Sequence, residues 1–311
     1  MKPPGRYLWP SLGLMAVLLL FACTTSLREP AGDPPATQVH PVSSTAAPGD
    51  RKPQRIMSIM LCSDLLLLMM VPKERIVSVS YLAHQAVQAL MPGKDRGVPI
   101  NHGTAEDILL QRPDLILAGT YSTPMARKLA KKVGANIVEI GTANNFDDIR
   151  RTVRQIGTAV GESGRAEALL AGMDEKLALL AAQRPAVPLR VVAWSGGDSV
   201  PGRGTLTDAI IRVSGAENIA AASLPAGRYG SFGLEELLQA RPDAVLLGEN
   251  RWSGSSLQDS DSSHALLARY WHGRQIRYPD AAFTCGLPQS ADAAMALHDI
   301  YRELPAAVAR W

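Results

Sequence analysis

Two doubly wound α/β lobes joined by one long α-helix, with a ligand cleft between them, is the architecture this sequence predicts. Three observations carry that expectation. A block recurs, AEDILLQRPDLILAG over residues 105–119 and LEELLQARPDAVLLG over residues 234–248. Short apolar runs alternate with helical segments in both halves of the chain. Between the halves lies a stretch with helical periodicity and no strand character, residues 161–184. At 311 residues the chain is long for one average domain and comfortable for two.

The repeat carries the most weight, because internal self-similarity of this length is the mark of duplicated architecture. Glu106 aligns with Glu235, Arg112 with Arg241, Pro113 with Pro242, Asp114 with Asp243, and Gly119 with Gly248. Each copy reads as a short amphipathic helix, a Pro-Asp turn that stops it, and a buried strand closed by Gly. A fainter echo pairs Ser63-Asp64 before LLLLMMV with Thr207-Asp208 before AIIRVSG, each read as a helix start with a capping side chain.

Taken in order, the chain opens with Lys2 and Arg6 ahead of an apolar run, Leu12 to Phe21, that is short for a membrane span and ends in LFAC. That is a secretion signal over residues 1–23. Leu20, Ala22 and Cys23 fit a bacterial lipoprotein cleavage site with Cys23 lipidated, and an uncleaved anchor helix is the other reading. Both put the protein outside the cytoplasm, as a periplasmic, membrane-anchored lipoprotein. Residues 24–53, rich in Pro, Ser, Thr, Ala and Gly without periodicity, read as a flexible tether.

In the first lobe, residues 54–141, RIMSIML, RIVSVS, DLILA and NIVEI are buried strands of a parallel sheet. In the second, residues 188–311, LRVVAW, AENIAA, DAVLL and RQIRY repeat the alternation. The linking helical segment spans residues 142–187. Within it Leu169, Leu170, Met173, Leu177 and Leu180 recur at helical spacing. One helix from Gly161 to Arg184 would span about 30 Å and restrict hinge motion.

Composition excludes several functions. Hydrophobic residues make up 46%, charged residues 20%, and the net charge is +3, as in a globular protein with a sizeable core. With no basic block and 5% aromatic residues, nothing suggests nucleic acid as a partner. No Gly-x-Ser-x-Gly elbow, phosphate loop, dinucleotide fingerprint or CxxC pair occurs, so a chelatase-like enzyme is the weakest reading. The six histidines show no paired spacing of the kind a bare metal ion needs.

The signal, RIMSIMLCSDLLLLMM, the paired blocks and the linking helix together resemble the periplasmic binding proteins for vitamin B12 and ferric siderophores, the group with a helical backbone between lobes. The resemblance runs from about Arg55 to near the C-terminus. It implies a monomeric substrate-binding component of an ABC importer, not an enzyme. Such a protein has no intrinsic cofactor and takes as its ligand an intact metal chelate, a ferric siderophore or cobalamin, carrying iron or cobalt. It also implies that Glu106 and Glu235, one on each lobe, dock on the permease dimer that works with its ATPase. Ordinary first-turn glutamates favoured by the helix dipole are the alternative. A haem-binding or scavenging lipoprotein without an importer is the alternative function.

Ligands of such sheets lie beyond the carboxyl ends of the strands. The loops there carry Tyr81, His84, Asn101, His102 and Tyr121 in the first lobe. In the second they carry Trp194, Arg203, Arg228, Tyr229 and Phe232, then Trp252 and Phe283. Rings supply apolar area and guanidinium forks bind anionic oxygens, which suits a flat macrocycle or an anionic chelate. With Cys23 lipidated, Cys62 and Cys285 are the remaining thiols. A disulfide tethering the lobes, two unpaired thiols, and a thiolate contact to the ligand's metal are the three readings.

Overall fold

The computed structural model describes residues 52–120, 124–194, 200–249 and 264–304. The residues predicted as signal and tether, and with them Cys23, lie outside the described residues, as do Tyr121 and Trp252. The first sheet is parallel and holds β1 (Ile56–Ser58), β2 (Ile76–Ser80), β3 (Ile100–Asn101), β4 (Leu115–Gly119) and β5 (Asn136–Ile140). Their order is β3-β2-β1-β4-β5. Around them run α1 (Leu61–Met70), α2 (Ala83–Leu90), α3 (Ala105–Gln111) and α4 (Pro124–Val133). β3 carries no sequence signature, because two residues are too few to display a period.

The linking segment holds the helix expected from Gly161 to Arg184, observed over Ser163–Ala182, and a second helix ahead of it. The pair, α5 (Phe146–Ala159) and α6 (Ser163–Ala182), is broken where Gly161 adopts φ +73. The two run antiparallel, tied by Arg154 to Glu167 at 2.8 Å and Arg150 to Asp174 at 2.5 Å. Asn145 caps α5 by accepting from the Asp148 amide, which is why that helix starts where it does. The turn between the helices is pinned to the first lobe through Glu162, which accepts from Arg75 at 2.5 Å and Lys52 at 3.1 Å. At 20 residues α6 spans about 30 Å.

Beyond it come β6 (Leu189–Ala193), β7 (Val200–Pro201), β8 (Ala216–Asn218), β9 (Tyr229–Gly230), β10 (Ala244–Glu249) and β11 (Gln275–Pro279). The helices are α7 (Leu206–Val213), α8 (Ala220–Ser223), α9 (Leu234–Ala240), α10 (Ala265–Tyr270), α11 (Asp280–Thr284) and α12 (Ser290–Glu303). The second sheet has the order β11-β10-β6-β8, again parallel. In both lobes the first strand lies inside the sheet, with the next on one side (β2 followed by β3, and β8) and the last two on the other (β4 then β5, and β10 then β11). β7 and β9, two residues each and without a sequence period, form a separate antiparallel ribbon.

The repeated block folds twice into the same device. Both helices end on an arginine in the left-handed region, Arg112 at φ 43 and Arg241 at φ 46, and the proline that follows cannot continue a helix. The next residue, Asp114, accepts from the amides of Gln54 and Arg55 at 2.7 and 3.0 Å, and Asp243 accepts from the Arg190 amide at 2.8 Å. Each carboxylate thereby closes the start of the neighbouring strand. The guanidinium of Arg55 reaches back to the carbonyls of Gln111 and Arg112, and that of Arg190 to Ala240 at 3.1 Å. These are the carbonyls that a helix C-terminus leaves without intrahelical partners.

Side-chain alternation splits the core into three. Met57 and Ile116 pack outward with Ala126 and Ala130 of α4. Val192, Val245 and Leu247 pack outward in the second lobe with Leu237 and Trp271. The inward residues Ile56, Leu115 and Leu117 belong to the same continuous cluster as Val191, Ala193 and Leu246, through Leu170, Met173 and Leu180 of α6. The lobes thus share one core. Gly119 serves this packing by close approach, since a Cβ there would come within 2.6 Å of the Met60 sulfur.

Three further contacts join the lobes. Cys62 and Cys285 form a disulfide with Cα atoms 5.0 Å apart. α11 packs against α2, and Gly286 lies against Ala143 and Ile149 so closely that a Cβ would overlap the Ala143 methyl. Substituting Gly286→Ala is expected to cost about 1–3 kcal/mol by overpacking, read as a lower midpoint in urea unfolding; an unchanged midpoint would count against this contact. Alkylation of unreduced, denatured protein should leave Cys62 and Cys285 unmodified by mass spectrometry, and reduction should expose both.

Candidate ligand-binding site

In sheets of this order, ligands bind outside the carboxyl ends of the strands where the strand order reverses. Those points are the ends of β1 and β4 in the first lobe and of β6 and β10 in the second. The disulfide brings the two carboxyl edges together, because Cys62 follows β1 in the first turn of α1 and Cys285 lies just beyond α11, which follows β11.

On the first lobe the carboxyl edge beside that point, at the ends of β2 and β3, carries an exposed ring pair. Tyr81, directly after β2, is 54% exposed and stacks on His102, directly after β3, with centroids 5.2 Å apart and planes at 20°. Beneath it lies a buried polar network. The Tyr81 amide donates to the Asn101 carbonyl at 2.9 Å. The Asn101 side chain, fully buried, donates to the Ser58 carbonyl and the Ser78 hydroxyl, both at 2.9 Å, and accepts from the Gly103 amide at 3.0 Å. Asp64, also fully buried, accepts from the Ser80 amide at 3.1 Å and the Ser80 hydroxyl at 2.5 Å. Burial pushes its carboxyl from 3.8 up to about 7, against the opposing effect of the Ser58 and Ser80 hydrogen bonds.

His102 is held from the other side by α3. Its amide donates to Asp107 at 3.0 Å, within a capping box in which Thr104 and Asp107 satisfy each other's backbone. Burial pushes the Asp107 carboxyl up, but the amides of His102 and Thr104 more than offset this and hold it below the usual range. His84 sits apart from the stack, paired with Asp95 at 2.6 Å.

On the second lobe the surface is the β7-β9 ribbon. The Gly202 amide donates to the Arg228 carbonyl at 3.0 Å and the Gly227 amide to the Arg203 carbonyl at 2.6 Å, which leaves the side chains of Arg203, Arg228 and Tyr229 exposed. A buried carboxylate again lies beneath. Asp208 accepts from the Gly204 amide at 3.0 Å and from the Asn218 side chain at 3.2 Å, and that side chain also donates to the Pro201 carbonyl at 2.9 Å.

Three predicted ligand residues are corrected by their burial. Trp194 is 2% exposed and donates its indole N–H to the Phe232 carbonyl at 2.7 Å, while Phe232 packs in the outward core of the second lobe. Strand alternation sends Trp194 to the same face as Val192. Phe283 packs on Tyr278 with centroids 4.1 Å apart, inside the shared core. The echo of Ser63-Asp64 and Thr207-Asp208 also needs a new reading. These residues are not caps: Met60 and Thr205 hold those positions, and the aspartates lie buried inside α1 and α7. Glu106 and Glu235 are exposed in the first turns of α3 and α9.

Among the described residues no three His, Cys, Asp or Glu side chains converge in a way that would hold a metal ion, and no helix is long and apolar enough to cross a membrane. A cavity of about 670 Å³ lined by Gln183, Leu189, His298 and Tyr301 lies at the amino end of β6, away from both ligand surfaces.

Two like lobes sharing a core, with exposed recognition groups at the strand ends of each, define a two-lobed solute-binding scaffold. The chain belongs to the periplasmic binding protein family, whose model matches residues 70–269. The family consists of substrate-binding proteins, not enzymes. A cobalamin-binding protein of Halobacterium salinarum is 24% identical over 259 residues, 76% of this chain and 69% of that protein. The periplasmic heme-binding protein RhuT from Roseiflexus sp. RS-1, in apo form, superposes with a TM-score of 0.67 at 21% identity, covering 80% of this chain and 98% of its own. The periplasmic heme-binding protein HutB of Vibrio cholerae does so with a TM-score of 0.68 at 20% identity, covering 80% and 98%. These likenesses establish the fold, two α/β lobes as read from the sequence.

Asp64 makes a pH prediction. The unfolded chain releases this proton near 3.8 and the folded chain near 7, so folding retains a proton between those values and stability falls as pH rises through that window. Asp64→Asn removes the titration. The wild type should lose about 1–4 kcal/mol more than the variant between pH 4 and pH 7.5 in urea unfolding, and parallel pH profiles would contradict the assignment.

Proposed function

We propose that this protein binds an intact metal chelate of the tetrapyrrole kind, a corrinoid or a haem, between its lobes and hands it to an ABC importer. One observation carries the reading. A flat, exposed Tyr81 and His102 stack stands at the strand ends of one lobe, and exposed Arg203, Arg228 and Tyr229 stand at those of the other. A planar macrocycle can lie against rings, and its peripheral carboxylates or phosphates suit guanidinium forks. The cobalamin-binding relative and the heme-binding structural neighbours support the same ligand class. The Tyr81 phenol and the His102 imidazole are metal-donor groups at that surface, which specifically favours haem, whose iron takes an axial Tyr or His.

Delivery rests on Glu106 and Glu235. One carboxylate at the equivalent place on each lobe makes a pseudo-two-fold patch that suits a symmetric permease dimer, and charge of this sort steers encounter. A lipid on Cys23 would hold the protein at the membrane beside that partner.

Titration of the purified protein with cyanocobalamin, haemin and a ferric siderophore, followed by absorbance, tests the ligand class. A spectral shift saturating at one equivalent of a tetrapyrrole is expected, and saturation by the siderophore alone would overturn it. The variant carrying both Glu106→Ala and Glu235→Ala should bind that ligand within about twofold of wild type yet lose about tenfold or more of uptake into cells. Unimpaired uptake would point instead to a scavenger working without an importer.

A further inference from the structure

The two lobes carry the same buried device beneath their exposed surfaces, and nothing in the ligand assignment uses it. In the first lobe Asp64, inside α1, reaches across to the end of β2 and accepts both the amide and the hydroxyl of Ser80. The next residue is Tyr81. In the second lobe Asp208, inside α7, accepts from Asn218 at the end of β8 and from the Gly204 amide. The residue before Gly204 is Arg203. Both aspartates sit on the helix that follows the first strand of their lobe, and both tie it to the carboxyl end of the second strand, so the duplication extends to this contact.

Burying a carboxylate is costly unless what it holds in place repays the cost, and a leucine would fill either position in an apolar helix more cheaply. α1 supplies such a setting, since Leu65, Leu66, Leu67 and Leu68 all lie in the core. Packing therefore does not account for Asp64. What the carboxylate adds is direction. It fixes Ser80, and with the Asn101 carbonyl bound to the Tyr81 amide it leaves the turn carrying the ring stack one geometry. Asp208 does the same for the Arg203 turn, through Gly204 and through Asn218, which also holds Pro201 of the ribbon.

We infer that Asp64 and Asp208 are a duplicated pair of positioning residues, each a buried carboxylate that aims the recognition groups of its lobe without touching the ligand. The inference rests on the proposed ligand surfaces. In chemical terms it assigns Asp64 to the aromatic surface that takes the macrocycle face and Asp208 to the cationic surface that takes its anionic substituents.

Residue-resolved amide exchange on the full chain, without ligand, separates this from a general role in stability. Asp64→Ala should speed exchange at Ser80, Tyr81 and His102 by about tenfold or more while the amides of β4 change by less than about threefold. Asp64→Asn, whose side-chain oxygen still accepts from the Ser80 amide, should bring Ser80 and Tyr81 back to within about threefold of wild type. Unchanged exchange at Ser80 and Tyr81, or an equal rise throughout β4, would overturn the inference. If Asp64→Ala does not fold, Asp208→Ala carries the same test on Gly204 and Gly227. A second arm titrates wild type and variants with cyanocobalamin and with haemin. Affinity for whichever probe the wild type binds should fall by about tenfold in Asp64→Ala and recover in Asp64→Asn, and equal affinity in all three would overturn positioning. Wild-type protein that takes up neither probe would sink the ligand class, and the exchange data would then decide the positioning role alone.

Discussion

The inward faces of the two sheets belong to one apolar core, and this shared core is what the remaining structure depends on. Ile56 and Leu117 of one sheet and Val191 and Leu246 of the other belong to one continuous apolar cluster that passes through α6. Opening the lobes widely would expose part of that cluster to water, at about 25 cal/mol for each Å² of apolar surface uncovered. The disulfide between Cys62 and Cys285 and the tight contact of Gly286 on Ala143 and Ile149 tie the second lobe to the rest of the chain at two further points. The shared core, the covalent tie and this contact together leave small adjustments of loops as the available motion, so recognition groups have to stand ready before a ligand arrives.

That requirement gives the buried polar network its sense. A surface that cannot close around its guest gains by having its contacts already aimed, because the entropy of ordering them is then lost in folding rather than in binding. The Tyr81 and His102 stack is fixed from below by Asp64 and Asn101 and from the side by the Asp107 capping box. The Arg203 and Arg228 ribbon is fixed by Asp208 and Asn218. Each network lies at a carboxyl end, where strand hydrogen bonding stops and the backbone would otherwise be free to wander.

Much of this was legible in the sequence, for reasons that can be named. The repeated block stood out because a helix-ending proline and a strand-closing aspartate are each demanded by local geometry and recur at matching positions in both copies. The strands with apolar runs, such as Leu115–Gly119 and Leu189–Ala193, announced themselves through burial on both faces. The two-residue strands β3, β7 and β9 carry no such signal, and their pairing is a product of tertiary contact. Gly161 was legible as the start of the long helix, and its left-handed φ separates α6 from α5. For the candidate site, Tyr81, His102, Arg203, Arg228 and Tyr229 were legible as loop residues, and all five stand exposed. Trp194, Phe232 and Phe283 also follow or end strands, and nothing in the sequence tells which way a ring turns once there. The aspartates beneath the site looked like helix caps, because Ser-Asp and Thr-Asp pairs suit that role equally well.

Rigidity is the claim on which the rest stands, and distance measurement between the lobes tests it most directly. Single-molecule energy transfer between dyes on non-natural residues replacing Lys128 in α4 and Glu303 in α12 reports that distance without disturbing the disulfide. A single narrow population whose mean distance moves by less than about 2 Å on saturating ligand is the expected result. Two populations, or a shift of about 5 Å or more, would mean that the lobes swing as a hinge and that the shared core does not hold them.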